Sequence, residues 1–200
     1  VPEIVFVELD PRMARTEPDP EIQDLLRSSA GLNLGLDYLP GSITFDPIVA
    51  LPIASEARLA SAIVWFDAFV TNVDRTPKNT NLLVWHRQLW MIDHGATLIF
   101  HHNWTDYETR SRAAFPQISE HVLLRWASEL READAELARS LTEETSGSII
   151  SLIPESWLGD EPRFASTEEH RAAYRRVLME RLEAPRPWLE EAVRARTVRF

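Results

Sequence analysis

The chain has 200 residues, a net charge of −10 and a hydrophobic fraction of 44%. This composition predicts a packed globular protein rather than a disordered chain, and the negative charge argues against direct binding of nucleic acid. The absence of cysteine excludes disulfides, thiolate metal sites and a cysteine nucleophile. No apolar stretch approaches the roughly 20 residues of a membrane-spanning helix. We therefore expect no membrane partner and a cytoplasmic location.

The first part of the chain predicts two strands and a short helix. Residues 1–9 contain alternating β-formers, and residues 32–39 alternate again before a Pro-Gly turn. Residues 20–27 begin with proline, which favours the first turn of a helix. The charged, proline-containing residues 10–20 predict an exposed loop.

A helix with a wide apolar face is predicted behind Ser55, which is a favourable N-cap residue. Apolar residues recur at helical spacing from Leu59 to Val73. Because Pro77 cannot continue the helix, we expect the helix to end just before Asp74.

A β-hairpin is predicted after this helix. The apolar runs at residues 82–85 and 89–92 are its strands, residues 86–88 are its turn, and Asp93 lies at the exit of the second strand. Residues 96–100 are short and apolar, which is compatible with a strand or a loop.

Helices are predicted to dominate the remainder. Residues 120–141 indicate one long helix or two with a break. Ser166-Thr-Glu-Glu169 matches a capping box that opens a helix to about Glu183. The arginines of this helix are accompanied by glutamates, which predicts a solvated face of mixed charge.

Asp74, Asn79 and Asp93 form the most informative pattern. An acid, a carboxamide five residues later and a second acid after a hairpin follow the order of base and metal ligands in phosphoryl-transfer enzymes. Since Mg²⁺ prefers oxygen ligands, Asn79 and Asp93 are the predicted metal ligands. Asp74 is the predicted base, and Lys78 is predicted to contact the transferred phosphate.

The setting of this pattern matters more than its spacing. With eleven aspartates and five asparagines, about 0.3 such Asp-Asn pairs are expected in a chain by chance. The buried helix before the pair and the hairpin after it make the functional interpretation stronger than that of an ordinary turn.

The motif residues resemble those of the HipA-like kinases, a bacterial family related to the protein kinases. The run from Asp74 to Lys78-Asn79 matches the family's Asp-x-x-x-Lys-Asn catalytic loop, and Asp93-His94-Gly95 stands at its DFG-like triplet. The resemblance implies an α+β fold, namely the mostly helical C-terminal lobe of a protein-kinase-like fold with two residual N-lobe strands and a catalytic β-hairpin. Residues 1–50 would be the residual N-lobe and hinge, and residues 51–200 the helical catalytic lobe.

The same resemblance implies a function. ATP and Mg²⁺ would be the cofactors, and phosphate would pass to an acceptor hydroxyl of Ser or Thr in a protein substrate. An antitoxin-like regulator would be a further partner. Backbone groups at Leu36, Tyr38 and Leu39 would contact adenine.

The sequence also departs from the kinase pattern. Asn72-Val73 replaces the His-Arg that precedes the catalytic Asp in eukaryotic protein kinases, and His94 stands where Phe would be. The phosphate-binding loop, the ATP-anchoring lysine and the acid of the αC helix are expected before Val1. We therefore expect the 200-residue chain alone to bind ATP poorly and to hold an incomplete site.

Two other functions remain open. One is a non-catalytic module that binds a partner and derives from a truncated or degenerate kinase. The other is a metal-dependent hydrolase that uses Asp93 and His94 with His101-His102. Because adjacent residues on a strand point to opposite faces, only one of the paired histidines would then bind a given metal.

Overall fold

The computed structural model describes residues 1–49, 56–159 and 161–200. Over these residues the protein is α+β, as predicted, and about half of it is helical, in seven α-helices beside two small sheets. The helices are α1 (Pro20–Ser28), α2 (Ala57–Phe69), α3 (Tyr107–Ser111), α4 (Leu130–Ser140), α5 (Glu143–Ser151), α6 (Thr167–Leu182) and α7 (Pro187–Arg199). The strands are β1 (Ile4–Leu9), β2 (Gly31–Leu36), β3 (Ile43–Thr44), β4 (Leu82–Trp85) and β5 (Gln88–Met91).

The chain divides into two compact units. The first consists of Val1–Ile43 and Leu83–Ile92, and the second of Thr44–Leu82 and Asp93–Phe200. The predicted boundary between residues 50 and 51 falls on residues outside the described ranges. The assignment of the two parts as an N-lobe remnant and a catalytic lobe stays a prediction.

The first unit contains the antiparallel pair β1 and β2, which confirms both predicted strands. Ile4 lies opposite Leu36 in the register, and Gly35 lies opposite Val5. A Cβ atom on Gly35 would lie 2.9 Å from Cγ2 of Val7. The lack of a side chain at this position therefore allows the valines of β1 to pack closely over β2.

Helix α1 lies between β1 and β2 in the sequence, and its ends are within one residue of the predicted bounds. Asp19 is its N-cap, and its carboxylate accepts a hydrogen bond from the backbone N–H of Glu21 at 2.8 Å. The predicted exposed loop before it contains a 3₁₀ turn at Pro11–Arg15, because the carboxylate of Asp10 caps that turn too.

The β4–β5 hairpin is confirmed, with a turn of two residues rather than three. His86 and Arg87 adopt φ angles of 47° and 64°, the left-handed backbone that is typical of a type I′ turn. Gln88 begins β5. The three-stranded sheet has the order β3-β4-β5.

Helix α2 forms the centre of the second unit and packs against α4 and α7. The ring centroid of Trp65 lies 5.3 Å from that of Phe69 and 5.4 Å from that of Trp188. The indole N–H of Trp65 donates to Asp134 at 2.8 Å. Burial of each large apolar side chain contributes roughly 1.5–3 kcal/mol, so this aromatic cluster fixes α2 in the core.

The ends of α2 differ from their predicted positions. The predicted N-cap, Ser55, lies outside the described residues, and the helix is described from Ala57. It ends at Phe69, four residues before the predicted end at Val73. The earlier end follows from the backbone of Thr71, which adopts a φ of 55° and so leaves the right-handed helical region.

Arg181 of α6 binds the carboxyl end of α2. Its guanidinium donates to the carbonyl oxygens of Phe69 at 2.6 Å, Ala68 at 2.8 Å and Ser111 at 2.9 Å. The residue is 3% exposed, and burial lowers the pKa of Arg181 to about 10. The prediction of a solvated face is therefore wrong at Arg181, because its cation is buried at the negative end of a helix.

Only the second half of the region predicted as helix, residues 120–141, forms an α-helix. Two 3₁₀ turns, Pro116–Glu120 and Leu124–Trp126, precede α4. Leu123 and Leu124 are fully buried here. The apolar residues that suggested a continuous helix therefore fill the core from an irregular segment, in which side-chain burial outweighs helical spacing.

Helix α6 begins as predicted. The Ser166 hydroxyl accepts a hydrogen bond from the N–H of Glu169 at 3.1 Å, and the Glu169 carboxylate accepts one from the N–H of Ala165 at 2.6 Å. These two reciprocal bonds resemble a capping box, except that Glu169 accepts from the residue before the N-cap rather than from the N-cap residue itself. Across the described ranges, no helix is both long enough and apolar enough to cross a membrane.

Candidate functional site

The loop between α2 and β4 carries Asp74 and Asn79 and is folded back on itself. The N–H of Thr76 donates to the carbonyl oxygens of Asp74 at 2.8 Å and of Asn79 at 3.0 Å. The side-chain amides of Asn79 and Asn81 both donate to Oδ2 of Asp74, at 2.6 Å and 3.2 Å. Two amides therefore orient the predicted base through its Oδ2.

The hydrogen bond from Asn79 to Asp74 also orients the carboxamide of Asn79. A carboxylate only accepts hydrogen bonds, so the group that faces Asp74 must be the NH₂ of the carboxamide. The carbonyl Oδ1 of Asn79 is consequently the end available to a metal ion. Asn79 and the neighbouring Lys78 are both exposed.

Asp93 follows β5 in a left-handed conformation with a φ of 47°. Its Oδ1 accepts a hydrogen bond from the N–H of Gly95 at 3.3 Å, and the residue is exposed. A carboxylate and a carboxamide oxygen are hard ligands that suit Mg²⁺ and leave positions for phosphate oxygens and water. The donor set of Asp93 and Asn79 therefore fits that ion.

The segment after Asp93 lies beside the start of the Asp74 loop. The N–H of Val73 donates to the carbonyl of Ala96 at 3.3 Å, and the N–H of Leu98 donates to the carbonyl of Val70 at 2.7 Å. The structure thus brings together the two segments that hold the predicted base and metal ligands, and all of these residues belong to the second unit.

The predicted adenine-contacting residues lie in the first unit. Leu36 ends β2, Tyr38 is 81% exposed and Leu39 is 4% exposed. Their role in binding adenine stays a prediction.

A buried charge network supports the Asp74 loop, and the sequence interpretation missed it. Asp67 of α2 is fully buried, and its Oδ2 accepts hydrogen bonds from Nε of Arg75 at 2.6 Å and from Nε2 of His121 at 2.8 Å. Its Oδ1 accepts one from the amide of Asn72 at 3.0 Å. We call these four hydrogen-bonded residues the Asp67 network.

The hydrogen bonds assign the protonation of His121. The backbone N–H of Leu123 donates to Nδ1 of His121 at 3.0 Å, so Nδ1 carries a lone pair and Nε2 carries the proton. His121 is therefore a neutral donor to Asp67. The negative charge of Asp67 is matched by the fully buried guanidinium of Arg75.

The Asp67 network reaches both sides of Asp74. The Oδ1 of Asn72 accepts from the N–H of Asp74 at 3.0 Å, and Nη1 of Arg75 donates to the carbonyl of Asn81. Asn81 in turn donates to Asp74. The network thus fixes the backbone that positions the predicted base.

One sequence signal could have revealed this support. Asp67 is the only charged residue between Leu59 and Val73, inside the apolar run of the predicted helix. A carboxylate at such a position must be buried with a partner, since an isolated buried charge is very costly. The nearest following cation is Arg75, which is the partner that the structure shows.

Acid is expected to weaken the fold through Asp67. Burial alone raises the pKa of the Asp67 carboxyl, but the hydrogen bond from His121 and the charge of Arg75 outweigh it, so its pKa is below the ordinary value of 3.8. Below pH 3.8 the unfolded state binds more protons at this site. The unfolding free energy should then fall with pH by up to about 1.4 kcal/mol per unit until the folded carboxyl also protonates.

Urea unfolding between pH 5 and pH 2.5 measures this contribution. The pH slope should be smaller in the double variant Asp67→Leu/Arg75→Met and unchanged in Asp106→Asn, which alters an exposed aspartate. Equal slopes in the wild type and the double variant would show that Asp67 has no depressed pKa.

The histidines occupy two separate settings. His94 packs edge-on against Phe66, with ring centroids 6.2 Å apart, and burial, followed by the charge of Arg75, lowers the pKa of His94. His101 and His102 lie in the 3₁₀ turn Ile99–His102, with ring centroids 4.3 Å apart. The expectation of opposite faces is therefore wrong, because the residues are not in a strand. Among the described residues, no group of three or more His, Asp or Glu side chains is placed to hold a metal ion.

Comparison with protein-family models gives a match over nearly the whole chain. A family model described as "HipA-like kinase" matches residues 1–191. Neither the curated proteins nor the solved structures give a significant match.

Proposed function

Because the chain belongs to the HipA-like kinase family, we propose that the protein is an ATP- and Mg²⁺-dependent phosphotransferase with a protein-kinase-like fold. Its acceptor is the hydroxyl of a Ser or Thr side chain in a protein substrate. The observation that carries the proposal is the hydrogen-bonded pair Asp74–Asn79. The loop that contains this pair is anchored by the buried ion pair of Asp67 and Arg75. The start of the loop is also hydrogen-bonded to the segment that follows Asp93.

Each polar group has one role in this proposal. Asp74 accepts the proton of the attacking hydroxyl. Asn79 and Asp93 would hold Mg²⁺, which would supply neutralisation of charge on the phosphate oxygens. Lys78 is exposed beside Asn79 and contacts the transferred phosphate as a positive charge.

The hydrogen bonds of the loop support this division of roles. Phosphoryl transfer depends mainly on positioning and charge stabilisation, with little covalent chemistry for the protein. A base held by two amides and a metal-ligand amide held by that base keep their mutual geometry without substrate. Contacts of adenine with Leu36, Tyr38 and Leu39, a cytoplasmic location and an antitoxin-like regulator belong to the same proposal.

The proposal is tested by incubating the full-length protein with γ-labelled ATP. We expect label on the protein itself or on an added protein substrate in the presence of Mg²⁺, and none with EDTA. The label should be stable to acid and released by alkali, as is typical of phosphoserine and phosphothreonine.

Two results would contradict the proposal. Absence of both transfer and Mg²⁺-dependent nucleotide binding would favour the partner-binding module. Hydrolysis that proceeds with Zn²⁺ or Mn²⁺ and without nucleotide would favour the hydrolase.

A further inference from the structure

A pocket lies in the second unit, on residues that the phosphotransfer proposal does not use. It has a cavity volume of about 230 Å³ and is lined by Trp104, His170 and Tyr174, with Glu161 and the pair His101-His102 among the other lining residues. Since one water molecule occupies about 30 Å³ of liquid, the pocket has room for a group the size of a side chain.

His170 is the unusual residue of this pocket. It is only 6% exposed, and its Nε2 has no hydrogen-bond partner among the described residues. Its Nδ1 lies 3.3 Å from the carbonyl oxygen of Leu158, which can only accept. Nδ1 therefore carries the proton, and Nε2 of the neutral ring is a buried acceptor without a donor. Buried polar atoms of this kind are rare and costly.

Aromatic rings hold His170 in place. It stacks on Phe164 at a centroid distance of 4.5 Å and on Tyr174 at 5.2 Å, and Trp104 meets it edge-on at 5.1 Å. The ring cannot turn to find another partner without breaking these contacts. No described side chain supplies the missing donor, and His170 lines the pocket, so a ligand of the pocket is a source of that donor.

The charge of the pocket is negative. Glu161 lines the pocket, and its carboxylate accepts a hydrogen bond from the backbone N–H of Arg163 at 3.2 Å. Burial, followed by the neighbouring His102 and His170, lowers the pKa of His101, so that ring favours its neutral form. Burial and then Glu161 raise the pKa of Tyr174 to about 12, so its hydroxyl stays protonated.

We propose that this pocket binds a guanidinium group, with the carboxylate of Glu161 and Nε2 of His170 as acceptors and the rings of Trp104 and Tyr174 as its walls. A guanidinium supplies several N–H donors in one plane, stacks on aromatic faces and carries the opposite charge to Glu161. An anion would meet the Glu161 carboxylate, and an uncharged apolar group would leave Nε2 of His170 unpaired. The inference does not depend on the phosphotransfer proposal.

Calorimetric titration of the 200-residue chain with N-acetyl-L-arginine amide and with the citrulline analogue tests this inference. The two probes have nearly the same shape, but only the first is charged. We expect the arginine probe to bind at least about ten times more tightly, as for a charge-assisted hydrogen bond at a partly buried site. Agmatine, a free guanidinium compound, is a third probe. Tighter binding of agmatine would indicate a small-molecule ligand, and tighter binding of the arginine amide would indicate a peptide ligand. Either result supports the inference.

Variants locate the binding. Glu161→Gln should weaken the arginine probe about tenfold, and His170→Phe, which keeps the aromatic stack but removes Nε2, should weaken it several-fold. Glu132→Gln changes an exposed residue of α4 that does not line the pocket and should have no effect. Near-ultraviolet circular dichroism checks that each variant is folded.

Three results would overturn the inference. The first is equal affinity for the arginine and citrulline probes. The second is unchanged binding in folded Glu161→Gln. The third is displacement of the arginine probe by inorganic phosphate, which would show that the pocket prefers anions.

Discussion

Replacement of Asp93 by asparagine is expected to lower phosphate transfer by the full-length protein by about two to three orders of magnitude at 1 mM Mg²⁺. The substitution keeps the size of the side chain but removes the charge that holds the metal ion. Because asparagine tolerates left-handed backbone well, the φ of 47° at this position should be retained. Part of the lost rate should return at higher Mg²⁺ concentration, and initial rates over a Mg²⁺ series measure this.

Asp106 provides a matched control. It is exposed and left-handed, with a φ of 53°, so Asp106→Asn makes the same chemical change in a similar backbone. The Asp106→Asn variant should leave the rate unchanged.

Asp74→Asn should lower kcat by about 10²–10⁴, as expected for a base, and higher Mg²⁺ should not restore kcat. Wild-type rates in Asp93→Asn or Asp74→Asn would refute the assigned roles.

Replacement of Arg75 by methionine is expected to lower the free energy of unfolding by about 3–5 kcal/mol. The change removes the cation that matches the buried carboxylate of Asp67, and it leaves the carbonyl of Asn81 without a strong donor. Chemical denaturation monitored by tryptophan fluorescence measures the loss, and seven tryptophans in the sequence provide the signal.

A double-mutant cycle separates charge from packing in this prediction. Asp67→Leu/Arg75→Met removes both charges and should be clearly more stable than Arg75→Met alone, since an apolar pair often replaces a buried ion pair at little cost. The double variant should nevertheless transfer phosphate poorly, because Asn72 then has no carboxylate to hold it. Equal destabilisation in the single and double variants would mean that the Asp67–Arg75 charge pair is unimportant.

The sequence predicts the elements whose signals are local. The strand β2, the hairpin turn at His86 and the capping box at Ser166 each depend on a few neighbouring residues, and the structure places all three within a few residues of the prediction. The order Asp74, Asn79, Asp93 can be read from the sequence without tertiary contacts, and the roles assigned to these residues stay predictions.

The failures have a common physical cause. The carboxyl end of α2 is bound by Arg181, which lies more than 100 residues later, and the irregular region around Leu123 depends on core packing. The bond from His121 to Asp67, which supports the Asp74 loop, spans 54 residues. Such partners leave no trace in the spacing of nearby residues, and the periodic pattern of apolar residues alone predicts helix where the chain is irregular.

The bonds from Arg181 to Phe69 and Ala68 join residues that are 112 and 113 positions apart in the chain. The carboxyl end of α2, from which the Asp74 loop departs, is therefore completed only when α6 has docked. Contacts between such distant residues form late in folding because closing so long a loop costs entropy before it gains contacts. During synthesis, the carboxyl end of α2 leaves the ribosome more than 100 residues before the side chain that binds its last carbonyl groups.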